Sequence, residues 1–137
     1  MNRIYVPGTF DMLHWGHIEL FKKAKKHGTV IVSLNNDAFV ARFKRKPILN
    51  YREREEMLKA CRYVDEVIRN SGDEDSKPAI LKSKATHIIH GDDWVGESYY
   101  KQMGFTQAWL DEHHIEILFV PYTKAISTSE IIQRCQR

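Results

Sequence analysis

Short runs of apolar, mostly β-branched residues recur along the chain, and longer stretches with helical spacing separate them. Ile4 to Val6, Thr29 to Leu34, Val64 to Ile68, Thr86 to His90 and Ile115 to Val120 read as strands. Each of the first and the last two closes on a turn residue: Pro7-Gly8, Gly91 and Pro121. Helical periodicity follows Gly8 as far as His27-Gly28, returns over Ala38 to Phe43 and Arg52 to Arg62 on either side of Pro47, resumes at Pro78, and starts for the last time near Thr128. Asn70 to Lys77 is polar and reads as an exposed loop. The strands are apolar almost throughout, as strands covered on both faces must be. The alternation therefore predicts an α/β fold: a Rossmann-like, three-layer domain over 1–137 with a doubly wound, mainly parallel sheet of about five strands. No internal repeat, linker or low-complexity tract interrupts it. In such folds ligands bind beyond the carboxyl ends of the strands, so the segments after Val6, Leu34, His90 and Val120 should carry the chemistry.

Composition narrows the function. With 137 residues and 42% hydrophobic content, the chain can bury a core without covalent staples. A net charge of +3 is too small for a nucleic-acid platform, and favours a local anion site. The two cysteines, Cys61 and Cys135, form no CxxC or metal-type cluster, as expected of a reduced, cytoplasmic protein. Neither a secretory leader nor a membrane-length apolar run is legible, so no membrane partner is expected.

The segment Gly8-Thr9-Phe10-Asp11-Met12-Leu13-His14-Trp15-Gly16-His17 joins the first strand to the first helix. Backbone N–H groups of a tight turn and a helix N-terminus can hold phosphate oxygens there. His14 and His17 stand three residues apart, so both imidazoles can lean over one site, and Gly16 leaves room for close approach. Other readings remain open. His17 shares a stripe with Leu13, Leu20 and Ala24 and could be a core histidine; Asp11 could be only a helix cap. A metal pair lacks His-Glu-x-x-His spacing and an evident third ligand, so no metal bound directly by the protein is predicted.

Gly8 to His17 resembles the His-x-Gly-His signature of the cytidylyltransferase-like nucleotidyltransferase family, whose histidines are taken to stabilise charge developing on a triphosphate. That resemblance makes His14 and His17 catalytic candidates, with Gly8, Thr9, Phe10, Asp11 and Gly16 around the nucleotide. A second signature, Ala125-Ile126-Ser127-Thr128-Ser129-Glu130-Ile131, looks like the family's Gly-Ile-Ser-Thr helix start, which assigns Thr123, Ile126, Ser127 and Thr128 to phosphate. Its local physics agrees, since Ser127 and Glu130 have capping-box spacing. His90-Gly91-Asp92-Asp93-Trp94 and Arg62-Tyr63-Val64-Asp65-Glu66-Val67 resemble segments of the glycerol-3-phosphate cytidylyltransferases in particular. They add Gly91, Asp92, Asp93, Trp94 and Arg62 as nucleotide candidates. In the basic stretch Arg42, Lys44, Arg45, Lys46, where the family carries phosphate-binding lysines, Lys44 and Lys46 are the catalytic candidates; a solvated basic face is the other reading. Arg45, Lys77, Tyr122 and Lys124 are weaker candidates for the acceptor.

Two departures limit the substrate. Tyr122 and Ala125 stand where these cytidylyltransferases usually have arginine and glycine, and the stretch from Val95 to Glu116 is longer than theirs. The resemblance implies attack of an acceptor phosphate on the α-phosphorus of CTP, with Mg²⁺ accompanying the triphosphate, a homodimer, and CDP-glycerol as product, a precursor of polyol phosphate polymers of the teichoic acid kind. An adenylyltransferase using ATP with a sugar phosphate, FMN or phosphopantetheine, and a nucleotide-binding sensor without catalysis, are the alternatives.

Overall fold

The computed structural model describes residues 1–43, 45–91, 97–121 and 126–136, and only the backbone of 97 and 98. Five strands, β1 (Arg3–Gly8), β2 (Thr29–Leu34), β3 (Glu66–Arg69), β4 (His87–Gly91) and β5 (Glu116–Val120), form one sheet in the order β3-β2-β1-β4-β5. Every pairing is parallel: Arg3 to Gly8 lie against Thr29 to Leu34, Ile31 to Leu34 against Glu66 to Arg69, Ile4 and Tyr5 against His87 and Ile88, and His87 to Gly91 against Glu116 to Val120. The helices are α1 (Trp15–Lys25), α2 (Asp37–Phe43), α3 (Tyr51–Lys59), α4 (Lys77–Ser83), α5 (Glu97–Met103), α6 (Gln107–Glu112) and α7 (Thr128–Cys135).

Strand side chains alternate between two cores. Ile4, Val6, Val30, Val32 and Leu34 pack against Phe21 and Ala24 of α1 and Leu58 of α3. Tyr5 and Ile88 face the other way, onto Ala79 and Ile80 of α4, Tyr99 of α5 and Leu110 of α6. Helices on both faces of a parallel sheet make the fold Rossmann-like and doubly wound, as the strand pattern predicts. Chain direction reverses its march across the sheet at β1, so the carboxyl ends of β1 and β4 border the crevice where ligands bind in this architecture.

Most boundaries shift by a residue or two from the pattern, and three of the differences have a local cause. α3 stops at Lys59 rather than Arg62, because the N–H of Cys61 turns back only three residues, to the Leu58 carbonyl at 3.1 Å. β3 begins at Glu66, two residues late, after Asp65 has spent its carboxylate on the Val30 N–H (2.8 Å) and on Lys25 (2.7 Å). The long stretch before β5 holds two helices, broken at Gly104 with φ +80°.

Candidate active site

The β1–α1 loop is held in a conformation it would not adopt alone. Phe10 and Met12 both take positive φ, +50° and +54°, which costs a non-glycine residue about 1–2 kcal/mol each. Side chains from distant segments hold it there. Asp11, only 3% exposed, accepts the N–H groups of Ile48 (2.7 Å) and Leu49 (2.9 Å), and the Asp11 carbonyl accepts the Thr128 hydroxyl at 2.6 Å. Asp11 therefore does not cap α1; it ties the loop to 48–49. Phe10 folds back so that a Cβ on Gly8 would meet its ring at 2.7 Å, and the ring packs on Phe21 and edge-on to His17, both at 5.2 Å.

The cap of α1 is His14. Its Nδ1 accepts the Gly16 N–H (3.1 Å), and His17 Nδ1 accepts the His14 N–H (3.2 Å) in a reciprocal box, with the two rings stacked 3.7 Å apart. This geometry selects a tautomer: both Nδ1 atoms accept, so the neutral rings carry their proton on Nε2, and both Nε2–H groups are donors. Burial holds the His14 imidazole below its ordinary 6.5, which keeps it neutral at pH 7. A core role for His17 is thus only half the description, because its ring is partly exposed and set against His14.

The start of α7 meets the start of α1. Ser127 caps α7 by accepting the Glu130 N–H (3.1 Å), Ile126 is buried with its Cγ2 beside Gly16, and Thr128 borders a cavity of 270 Å³ shared with Gly8, Thr9, Phe10, Asp11 and Arg45. Two helix N-termini, one framed by neutral imidazole donors, plus a guanidinium make a site for a polyanion. Arg45 Nη2 lies 3.8 Å from Asp11, and its Nε is buried without a hydrogen-bond partner among the described residues.

Not every candidate converges here. Lys46 is exposed in a separate groove with Asp37, Pro47 and Asn50. Arg62 is exposed beside Leu13, Ile18 and Met57, and does not line the 270 Å³ cavity. Lys77 is turned to structural work: its ammonium donates to the Gly104 carbonyl and pairs with Asp75 at 3.0 Å. Gly91 ends β4 at the crevice. Lys44, Asp92, Asp93, Trp94, Tyr122, Thr123 and Lys124 lie outside the described residues.

One residue escaped the motif reading. Arg54, 1% exposed, donates to the carbonyls of Leu49 (3.0 Å), Thr9 (2.9 Å) and Asn35 (2.8 Å) and to Asp37 Oδ1 (2.6 Å), joining the loops after β1 and β2 to the loop before α3. Its only trace in sequence is its place on the apolar stripe of α3, four residues before Leu58.

A family model described as cytidylyltransferase-like matches residues 5–134 of this chain. The protein belongs to the cytidylyltransferase-like family. This cytidylyltransferase is 33% identical over 132 residues to the glycerol-3-phosphate cytidylyltransferase of Bacillus subtilis (strain 168), spanning 96% of this chain and 95% of that enzyme. It is 38% identical over 91 residues to the ethanolamine-phosphate cytidylyltransferase of Arabidopsis thaliana, covering 64% of this chain and 22% of the relative. Its fold is similar to the crystal structure of a lipopolysaccharide core biosynthesis protein from Thermoplasma volcanium GSS1, with TM-score 0.72, 25% identity, and 92% and 99% of the two chains covered. The chain is thus a nucleotidyltransferase enzyme, which sets aside the sensor reading. Among the described residues no helix is long and apolar enough to cross a membrane.

Proposed function

We propose that this cytidylyltransferase joins CTP to glycerol 3-phosphate, forming CDP-glycerol and pyrophosphate. The observation that carries the reading is the stacked His14–His17 pair at the meeting point of the α1 and α7 N-termini, in a chain similar over nearly its whole length to an enzyme named for glycerol 3-phosphate. A phosphate oxygen of the acceptor attacks the α-phosphorus, the bond to the β-phosphate oxygen breaks, and the electron pair leaves with pyrophosphate. No strong base is required, because a phosphomonoester with a second pKa of about 6 is largely a dianion at neutral pH. The obstacle is charge: a dianion must approach a triphosphate. The Nε2–H donors of His14 and His17 and the N–H groups opening α1 and α7 answer it as preorganised dipoles, and Arg45 as a full charge.

Magnesium belongs to this proposal as the companion of CTP, neutralising phosphate charge. Asp11, the buried carboxylate of the cradle, already accepts two backbone N–H groups, so the ion would ride on nucleotide oxygens rather than on this side chain. A homodimer is part of the same reading, and sedimentation at micromolar concentration would show it.

The test is pyrophosphate release with magnesium, each nucleoside triphosphate being paired with glycerol 3-phosphate and with other phosphomonoesters, beside His14→Ala and His17→Ala controls. Turnover restricted to CTP with glycerol 3-phosphate, and lost in the controls, is the expected result. Turnover with CTP but another acceptor would replace the substrate and keep the mechanism.

A further inference from the structure

Three buried polar atoms on one face of the sheet are left unsatisfied by the fold. Tyr5 and Ser33 have no exposed surface and Asn70 is 6% exposed. Yet the Tyr5 hydroxyl, the Ser33 hydroxyl and Asn70 Oδ1 have no hydrogen-bond partner among the described residues. A buried polar group left in that state pays the whole cost of leaving water, so three together require an account. The strand register gathers them. Tyr5 stands opposite Ile31, and Ser33 opposite Ile68. Side chains alternate along each strand, so Tyr5, Ile31, Ser33 and Ile68 share the face that carries α4 and α5. Asn70 lies two residues past Ile68, its N–H still bonded to the Leu34 carbonyl at 3.0 Å, and continues that face. Burial pushes the Tyr5 hydroxyl up to about 12 and the Ser33 hydroxyl opposes the shift, which sets the two oxygens near one another.

Asn70 cannot cure its deficit by turning its amide over. Its Nδ2 donates to Asn35 Oδ1 (2.9 Å) and to the Asp73 carbonyl (3.2 Å), both acceptors, so Oδ1 must point away from them. Asn35 is fixed in turn, because its Nδ2 donates to the Thr9 hydroxyl at 3.3 Å. A chain of amides thus runs from the unpaired oxygen to the β1–α1 loop. The unpaired set itself defines what would complete it. Asn70 Oδ1 only accepts, whereas each hydroxyl both donates and accepts. Water, with two donors and two acceptors, can give one proton to Asn70, take one from Tyr5 and bond Ser33 in either sense. An anion would meet the lone pairs of Asn70, and a hard cation takes about six oxygen ligands where this face offers three. Tyr5 and Asn70 line a cavity of 180 Å³, and a water molecule needs about 10–15 Å³.

We propose that this face holds one structural water molecule, which bridges Tyr5 Oη, Ser33 Oγ and Asn70 Oδ1 and keeps Asn70 in the orientation that ties Asn35 to Thr9. The experiment joins a crystal structure of the full chain, at a resolution of about 1.6 Å or better, to urea unfolding of Tyr5→Phe, Ser33→Ala and the double variant. Density should show one peak within about 2.6–3.2 Å of all three oxygens. Unfolding separates the two cases by sign. With the water in place, Tyr5→Phe strips it of a partner, and the unfolding equilibrium constant should rise about tenfold. The double variant should then cost less than the two single variants combined, because both break the same unit. Without it, Tyr5→Phe removes an unpaired hydroxyl from the core, and the constant should stay level or fall. Exchange of the Asn70 side-chain NH2 protons, followed by NMR, should quicken about fivefold in Tyr5→Phe relative to the backbone amides of α4. A dry site, a direct Tyr5–Ser33 bond in place of the water, or a Tyr5→Phe constant at or below that of the wild type overturns the assignment. An unchanged exchange ratio overturns the link to the loop. None of these readouts depends on catalysis, so the reaction proposed above stands or falls separately.

Discussion

Replacing Gly16 with alanine should separate activity from stability. The added Cβ would lie 2.9 Å from His14 Cε1, 3.0 Å from its Nδ1 and 3.1 Å from Ile126 Cγ2, in the seam where α1 and α7 meet. Ordinary contact needs about 3.5–4.0 Å, so the His14 ring must shift by roughly 0.6–1.1 Å. That movement stretches the 3.1 Å Gly16–His14 cap bond and disturbs the stack on His17. A misplacement of ~1 Å in a positioned catalytic group lowers the rate by about 100-fold, or ~2.7 kcal/mol of barrier. Stability should barely move, because a lost cap costs about 0.5–2 kcal/mol while alanine regains about 1 kcal/mol over glycine in a helix. Pyrophosphate release gives kcat/KM, and urea unfolding followed by circular dichroism gives the stability of the same preparation. Activity within about threefold of wild type, or a loss of activity matched by a loss of stability of several kcal/mol, would refute the argument that Gly16 is there to admit the His14 ring.

Arg54→Met should destabilise the fold by about 3–5 kcal/mol in urea titration, since it leaves three carbonyls and Asp37 without their donor; a change below ~1 kcal/mol would show that the guanidinium is not the pin. The depressed His14 pKa has a definite sign: the folded state prefers the neutral ring, so its contribution is fully present above the ordinary 6.5 and is lost as pH falls below that value. Protonating Nδ1 also removes the cap bond, so kcat/KM should fall on the acid side within the same window, and an acid limb centred above 6.5 contradicts the assignment. Gly104→Ala forces a Cβ at φ +80° to within 3.0 Å of Asp75 Cα. It should lower stability by about 1–2 kcal/mol, as urea unfolding would reveal; an unchanged midpoint would show that the turn tolerates a side chain.

What the sequence determined by itself is what short-range rules govern. The β-branched run Thr29–Leu34 reads as a buried strand, and the Ser127–Glu130 spacing acts within one helical turn, so the strands and the cap of α7 were legible without coordinates, whereas the cap of α1, for which Asp11 was a candidate, is His14. The tertiary structure decided which of these distant pieces meet. The order β3-β2-β1-β4-β5 brings the starts of α1 and α7 together across 117 positions, from Asp11 to Thr128. It also explains Arg54, which no motif flagged, and Lys77. Three of the four partners of Arg54 stand 45, 19 and 17 positions away; Lys77, a weak acceptor candidate from sequence, gives its ammonium to Gly104, 27 positions on. A side chain's chemistry is written in its type, but whether that chemistry is left for a ligand or spent on the fold depends on partners that only long-range packing supplies.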